Sequence, residues 1–515
     1  MTASSRPGEP ELRQRIAVGS VDPEDYMALA SALAEAERTG EAIEILERAL
    51  ALPLSTFDRA KVSTELGWIL CDQTREVARA LALARDALAL LADDGDASET
   101  LFVRGMARSL LGHSLWRSGG HDSDAAADAW RTALALFERL IGGSPEFEDI
   151  EQVWLETARL CNALNDGDRA IPLCRRYLDR TSEPRRRVPA LADLAEALRL
   201  AGHLAEAEDA VAEAVASAGD LRGQLPFLYL TRGLIQRLAG RPAEARESLE
   251  RALVALEGHP FQDEPEMVKT VKGDLAEVYE ELGEHEKAIA AWREVLGHCG
   301  EDDPWRLRVL LCLGHACHSA GAFADARAAY DAVLAAPRAS DEDRAEAAVW
   351  ALWSAGELHY RAGEYRVAAR AFERLLDHYR DDDGDRRNTL AWLGDCWYSL
   401  GDLARARERY EEVLLSPLAS DAERARASDL ADRSAALFLY GAGEYAEAAH
   451  ALERVLSRLS DDDPNRCEWL LWLAACHGRM GTYGAARDCY EEVLRVPQAT
   501  EREQASARRN LDALR

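Results

Sequence analysis

Residues 390–417 read LAWLGDCWYSLGDLARARERYEEVLLSP. Two apolar runs with helical spacing flank Gly401, and polar residues fill the positions between. Gly401 suits a tight turn between two helices, where a positive φ is often needed. Ala406 follows five residues later, at a place where two helices approach closely and a larger side chain would not fit. Tyr410 comes four residues after that, on the same helix face, as a large filler. The stretch is a helix–turn–helix unit.

The unit recurs. Residues 310–337 read LLCLGHACHSAGAFADARAAYDAVLAAP, with Gly321, Ala326 and Tyr330 in the same places. Extending the frame gives Gly202, Gly240, Gly283, Gly321, Gly363, Gly401, Gly443 and Gly481, spaced by 38, 43, 38, 42, 38, 42 and 38 residues. The partner alanines are Ala207, Ala245, Ala288, Ala326, Ala368, Ala406, Ala448 and Ala486, with Phe372 and Tyr490 as further fillers. Gly283, Gly363 and Gly443 are 80 apart, as are Gly321, Gly401 and Gly481, so the C-terminal half reads as a duplicated two-unit block.

The joins repeat as well. PRASDEDRAEAA (337–348), PLASDAERARAS (417–428) and PQATEREQASAR (497–508) are near copies. Ser340 with Asp343, Ser420 with Glu423 and Thr500 with Glu503 form capping boxes that start helices. Asp303–Pro304 and Asp463–Pro464 read as N-cap and first helical residue.

This pattern resembles the tetratricopeptide-repeat family: Leu390, Leu393–Gly394, Trp397, Gly401, Ala406, Tyr410, Val413–Leu414 and Pro417 stand where the family places its signature residues. The usual family period is about 34 residues. The longer period here adds one or two helical turns at about 3.6 residues each. The N-terminal third is weaker, with further units phased on Ala42, Ala80, Ala126 and Ala170 and a polar insertion at His121–Asp124. The resemblance implies an all-α, right-handed superhelical solenoid of stacked antiparallel helix pairs, about twelve repeats with a C-terminal capping helix. The expected organisation is a flexible N-terminal arm over 1–22, divergent repeats over 23–185, a regular array over 186–499 and a capping helix over 500–515.

Composition narrows the function. The chain has 515 residues, 48% of them hydrophobic but only 7% aromatic, and a net charge of −30. So acidic a surface repels phosphate backbones and anionic lipid, which disfavours nucleic acid and membranes as partners and favours a basic protein or peptide. Solubility of a long solenoid is an alternative reason for the charge. No apolar stretch reaches the ~20 residues of a membrane span, and residues 1–15, MTASSRPGEPELRQR, lack the apolar segment of a secretory signal. The ten cysteines show no disulfide spacing, and free buried cysteines suit a reducing, cytoplasmic setting.

Sequence signatures of nucleotide, nucleophile-elbow and zinc-protease chemistry are missing, and no strand is predicted to carry such loops. Two constellations invite a metal. Cys312, His315, Cys317 and His318 share one helix, but the repeat register puts both cysteines at packing positions. Asp381, Asp383 and Asp385 resemble a calcium loop, but Arg386–Arg387–Asn388 follow where a ligand Glu is needed. Neither metal nor cofactor is expected, nor is catalysis, because an open groove excludes water poorly.

The resemblance implies a partner groove lined by the first helices of successive pairs. Projecting the family register puts Glu277, Glu280, Glu281, His315, His318, Trp350, Trp353, Glu357, Tyr360, Asp395, Tyr398, Arg433 and Tyr440 on that face. Trp350 and Trp353 fall off the packing stripe and read as exposed aromatic anchors beside acidic residues. The competing reading has them pack against the next repeat. Inward lysine is missing, which argues against the family's carboxylate clamp for chaperone tails. The expected function is a non-catalytic scaffold or adaptor that holds a protein or peptide. The alternative is a sensor or regulatory subunit that binds a peptide signal or restrains a separate effector, as in bacterial regulators with long repeats. A homo-oligomer is compatible with either.

Overall fold

The structure is a computed structural model that describes residues 8–514 apart from 37, 75, 93, 120–123, 220, 258–264, 302, 304 and 381–383. Pro304, Asp381, Asp383 and most of the 121–124 insertion lie outside the described residues. The chain forms two compact units, Met1–Glu284 and His285–Arg515. The first contains α1 (Glu9–Ala17), α2 (Pro23–Glu35), α3 (Thr39–Leu50), α4 (Thr56–Ile69), α5 (Val77–Leu90), α6 (Ser98–Gly119), α7 (Asp124–Gly143), α8 (Ile150–Ala163), α9 (Gly167–Leu178), α10 (Pro184–Leu200), α11 (Leu204–Ser217), α12 (Leu225–Leu238), α13 (Pro242–Leu256) and α14 (Pro265–Glu281). The second contains α15 (His285–His298), α16 (Trp305–Ser319), α17 (Phe323–Ala335), α18 (Asp341–Arg361), α19 (Tyr365–Leu376), α20 (Gly384–Ser399), α21 (Leu403–Leu415), α22 (Asp421–Ala442), α23 (Tyr445–Arg458), α24 (Arg466–Met480), α25 (Tyr483–Arg495) and α26 (Glu501–Ala513). No strand occurs among the described residues.

Within each unit every helix packs against its chain neighbours. Each phasing alanine, from Ala42 through Ala486, is 0% exposed and lies on an odd-numbered helix, the second of its pair. The weak N-terminal frame therefore keeps the same alanine contact as the regular one. The glycine of the Leu–Gly dipeptide has a separate cause. A Cβ on Gly314, Gly356 or Gly394 would sit 2.5 Å from the ring of Tyr330, Phe372 or Tyr410. Those three rings are 0% exposed, so the filler of the second helix lies flat on the bare backbone of the first.

The turn glycines act through the backbone instead. Gly443 caps α22 at φ 85°, and the Glu444 N–H reaches back to the Leu439 carbonyl at 2.9 Å. This is the Schellman arrangement. The same bond closes the turn at Asp166, where Asn165 (φ 61°) stands in the glycine's place. A Cβ at Gly443 would meet nothing within 4 Å. Gly443→Ala should therefore cost only the left-handed penalty, about 1–2 kcal/mol, while Asn165→Gly should stabilise by less than about 1 kcal/mol. Thermal melts of the two variants check this opposite pair of signs.

The predicted capping boxes at Ser340, Ser420 and Thr500 all form. Asp463 differs. Helix α24 begins at Arg466 behind Asn465, and the Asp463 carboxylate accepts from the Asn465 N–H at 2.8 Å, so the aspartate closes a turn just upstream. The N-terminal arm also needs correction over part of its length. Residues Glu9–Ala17 are helical, and Leu12 and Ile16 are 2% and 6% exposed against the first core cluster.

A further device sits at the joins. Arg344, Arg424 and Arg466 donate to carbonyls at the end of the preceding helix: Ala336 at 3.1 Å, Ser416 at 2.9 Å and Leu456 at 3.3 Å. Arg59 and Arg187 do the same for Leu50 and Leu178 in the first unit. These guanidiniums satisfy the orphan carbonyls of a helix C-terminus and oppose its negative dipole end. Arg424→Ala should lower stability by about 1–3 kcal/mol, read as early exchange of the amides at the end of α21.

Candidate functional site

The thirteen predicted face residues lie on first helices of pairs, as projected, but in two separate units. Glu277, Glu280 and Glu281 are on α14 in the first unit. His315 and His318 are on α16, Trp350, Trp353, Glu357 and Tyr360 on α18, Asp395 and Tyr398 on α20, and Arg433 and Tyr440 on α22, all in the second.

The expected exposed tryptophan anchors are not found. Trp353 is 9% exposed and meets Phe372 edge-on at 5.7 Å between ring centres. Trp350 is half-buried, with His315 and His318 edge-on at 5.0 and 5.2 Å and Tyr330 stacked at 6.5 Å. Trp350 thus finds its cover on the preceding pair, α16 and α17, and Trp353 on its own partner helix α19, which draws both indoles off the solvent face. The acids are also less available than expected. Arg237 pairs with both Glu277 and Glu281. Glu357 lies 3.6 Å from Arg361 and 3.8 Å from His318, and burial pushes its carboxyl up.

The remaining residues form a seam along the second unit. Tyr360 meets Tyr365 at 5.3 Å and Trp392 at 5.1 Å; Tyr440 meets Tyr445 at 5.4 Å and Trp472 at 5.0 Å. All three pairs of equivalents are 80 residues apart, so the duplicated block repeats an aromatic triad. Trp392 and Trp472 were not among the predicted residues, although that spacing marks them. Asp395 accepts from the Tyr410 hydroxyl at 2.6 Å and faces Arg426 at 3.5 Å. Arg433 pairs with Asp429 at 2.8 Å and covers the Trp469 ring at 5.2 Å. Tyr398 is half-buried, and burial pushes its phenol up, with the charges of Glu468, Arg433 and Asp429 nearby.

Some hydrogen-bonding capacity on this face is unused. His315 Nε2, Asp429 Oδ1 and Arg433 Nε are buried without a hydrogen-bond partner. His318 is used: its Nδ1 lies 3.0 Å from the Ser354 hydroxyl. Burial, with His315 and Arg361 adding to it, pushes this imidazole down to about 4 from 6.5. The unfolded chain therefore takes up the proton first, and stability from His318 declines as pH falls from 6.5 towards 4. In an NMR titration the His318 ring should stay neutral down to pH ~5. Protonation near its ordinary value would contradict the packing described here.

Among the described residues, no three His, Cys, Asp or Glu side chains converge to hold a metal. Cys317 is packed in the core, and Cys312 is half-buried. No described helix is long and apolar enough to cross a membrane.

Stacked helix pairs with an alanine contact, a left-handed turn and an aromatic filler define a helical-repeat solenoid. Residues 110–183, 354–423 and 434–503 match the tetratricopeptide-repeat family. Those three segments carry tetratricopeptide repeats. A thermophilic tetratricopeptide-repeat protein of Thermus thermophilus is 25% identical, covering 41% of this chain and 98% of its own, with a TM-score of 0.31. One from Parabacteroides merdae is 21% identical, covering 56% and 98%, with a TM-score of 0.34. A Rap protein, solved in complex with competence and sporulation factor, is 14% identical, covering 72% and 98%, with a TM-score of 0.45. No curated protein sequence matches the chain.

Proposed function

We propose that this chain is a non-catalytic protein-binding scaffold, and that a partner segment lies along α16, α18, α20 and α22. The observation that carries the choice of face is the unused hydrogen-bonding capacity of His315 and Arg433. Buried polar atoms are nearly always paired in a finished interface or core, and a bound peptide backbone supplies both donors and acceptors. The tetratricopeptide repeats support the broader reading as an interaction scaffold. The aromatic seam contributes rigidity to that face. Specificity then comes from polar groups and the exposed rim.

The rim gives the test. Glu346 and Arg426 flank His315 and Asp395, with side chains 45% and 65% exposed. Glu346 and Arg426 are themselves exposed, so a Glu346→Lys/Arg426→Glu chain should keep its fold, checked by its circular dichroism, although the carboxylate introduced in place of Arg426 faces the partly buried Asp395 and lowers stability by about 1 kcal/mol. Partners captured from host lysate should be lost or reduced at least ~tenfold, since mismatched charge costs more than about 1.4 kcal/mol. Undiminished capture of the same proteins would remove this face from consideration.

A further inference from the structure

A cavity of about 440 Å³ opens in the first unit, remote in sequence from the face described above. Its walls come from α1 and from the first helices of the next four pairs, α2, α4, α6 and α8. That volume falls in the range of small-ligand and side-chain pockets, ~300–1,000 Å³. One wall is apolar, built from Met27, Phe102, Val103 and Met106. The rest is polar and mainly acidic: Asp22, Glu24, Asp25, Glu65 and Asp149 outnumber the cations Arg15 and Lys61, with Ser31, Thr64 and Gln152 among them.

Three of the five carboxylates are already engaged. Asp22 caps α2 by accepting from the Glu24 N–H at 3.0 Å. Glu24 holds Lys61 at 2.5 Å. Asp25 takes Arg15 at 3.2 Å and the Ser20 hydroxyl at 2.6 Å. Both cations of the cavity are thereby consumed. Asp149 stands at the N-cap of α8 without capping it. Glu65 accepts no hydrogen bond among the described residues; Lys61, one turn earlier on α4, and Glu24 are the charges that act on it. Its side chain is half-buried, and burial pushes its carboxyl up. A partly desolvated carboxylate without a partner gains from an incoming cation.

We infer that this cavity binds a basic side chain of a partner protein, with Glu65 as its counter-ion. The chemistry of the walls selects that occupant. Arginine and lysine carry an apolar stem and a cationic head, which match the methionine–phenylalanine wall and the carboxylate floor. A purely apolar occupant would cover Glu65 and leave it unpaired, and an anion would meet a net negative wall. The inference shares with the proposal above only the reading that the chain binds protein. It concerns different helices in the other unit, so it stands or falls separately from the Glu346→Lys/Arg426→Glu result.

The chain has only 5 methionines, and two of them line the cavity, so methyl-labelled methionine gives a direct readout. The full chain is titrated with acetyl-Ala-Arg-Ala-amide and with the same peptide carrying neutral citrulline. The Met27 and Met106 methyl signals should shift saturably with the arginine peptide and not with the citrulline one. A single side chain of this kind binds at Kd on the order of 1 mM. Glu65→Gln should weaken binding at least about tenfold, as expected for loss of a charge-assisted bond. Lys61→Met removes the competing cation and should tighten binding, which keeps the test decisive if Glu65→Gln fails to fold. Equal shifts with citrulline, no shift with arginine, or weaker binding by Lys61→Met would overturn the inference. Tighter binding of free spermidine than of the peptide would also overturn it, in favour of a small-amine site.

Discussion

Tyr410→Ala should lower the stability of the second unit by about 3–5 kcal/mol, the cost of removing a fully buried aromatic ring. The ring is 0% exposed and lies on Gly394, whose missing side chain is what admits it. Its removal leaves a cavity that no neighbour can fill without moving α20 against α21. The hydroxyl adds a second cost, because it donates to Asp395 at 2.6 Å. Tyr410→Phe isolates that part and should cost about 1–3 kcal/mol. Burial already pushes the Asp395 carboxyl above its ordinary value of 3.8, and loss of the phenol donor pushes it further. A carboxyl raised in the folded state favours folding more as pH falls through its folded pKa. The Tyr410→Phe defect should therefore shrink on acidification, while the Tyr410→Ala defect keeps its cavity term. Melting curves of both variants at two pH values separate the contributions.

Arg159→Leu should be comparably severe, about 3–5 kcal/mol, for an electrostatic reason. Arg159 bridges Asp193 on α10 and Glu156 on α8, each at 2.9 Å, and the side chains of both carboxylates are largely buried. Burial pushes the Asp193 carboxyl up even against the pull of this guanidinium. Deleting the cation leaves two buried carboxylates with nothing to balance them. Removing Asp193 as well should restore part of the loss, so Arg159→Leu/Asp193→Leu should be more stable than Arg159→Leu alone. Hydrogen exchange in α8 and α10 reads the same ordering locally. A double variant less stable than the single would show that the bridge acts mainly through packing.

The sequence was most legible where one residue type answers one steric demand. Each phasing alanine is buried to 0%, including Ala42, Ala80, Ala126 and Ala170 from the irregular third. Only a small side chain fits where two helices touch, so the alanine survives drift in turn length. The capping boxes were legible for a similar reason, since both partners sit in a fixed local frame. Asn165 carries no glycine signature, because asparagine also tolerates the left-handed backbone of that turn. Trp350 and Trp353 were misplaced because helical periodicity gives the direction a side chain leaves its own helix. It does not give what stands opposite: the preceding pair supplies His315, His318 and Tyr330 against Trp350, and α19 supplies Phe372 against Trp353. The pairing of Arg237 with Glu277 and Glu281 was invisible for the same reason, since it spans two helix pairs. The join arginines were within reach: Arg344, Arg424 and Arg466 keep the phase of the turn glycines.

The face assigned to a partner is tested most directly by hydrogen exchange of the chain with and without a protein it captures. The account predicts added protection on α16, α18, α20 and α22, with the amides around His315 and Arg433 among the most affected. Protection confined to the second helices α17, α19 and α21, with those four unchanged, would contradict it.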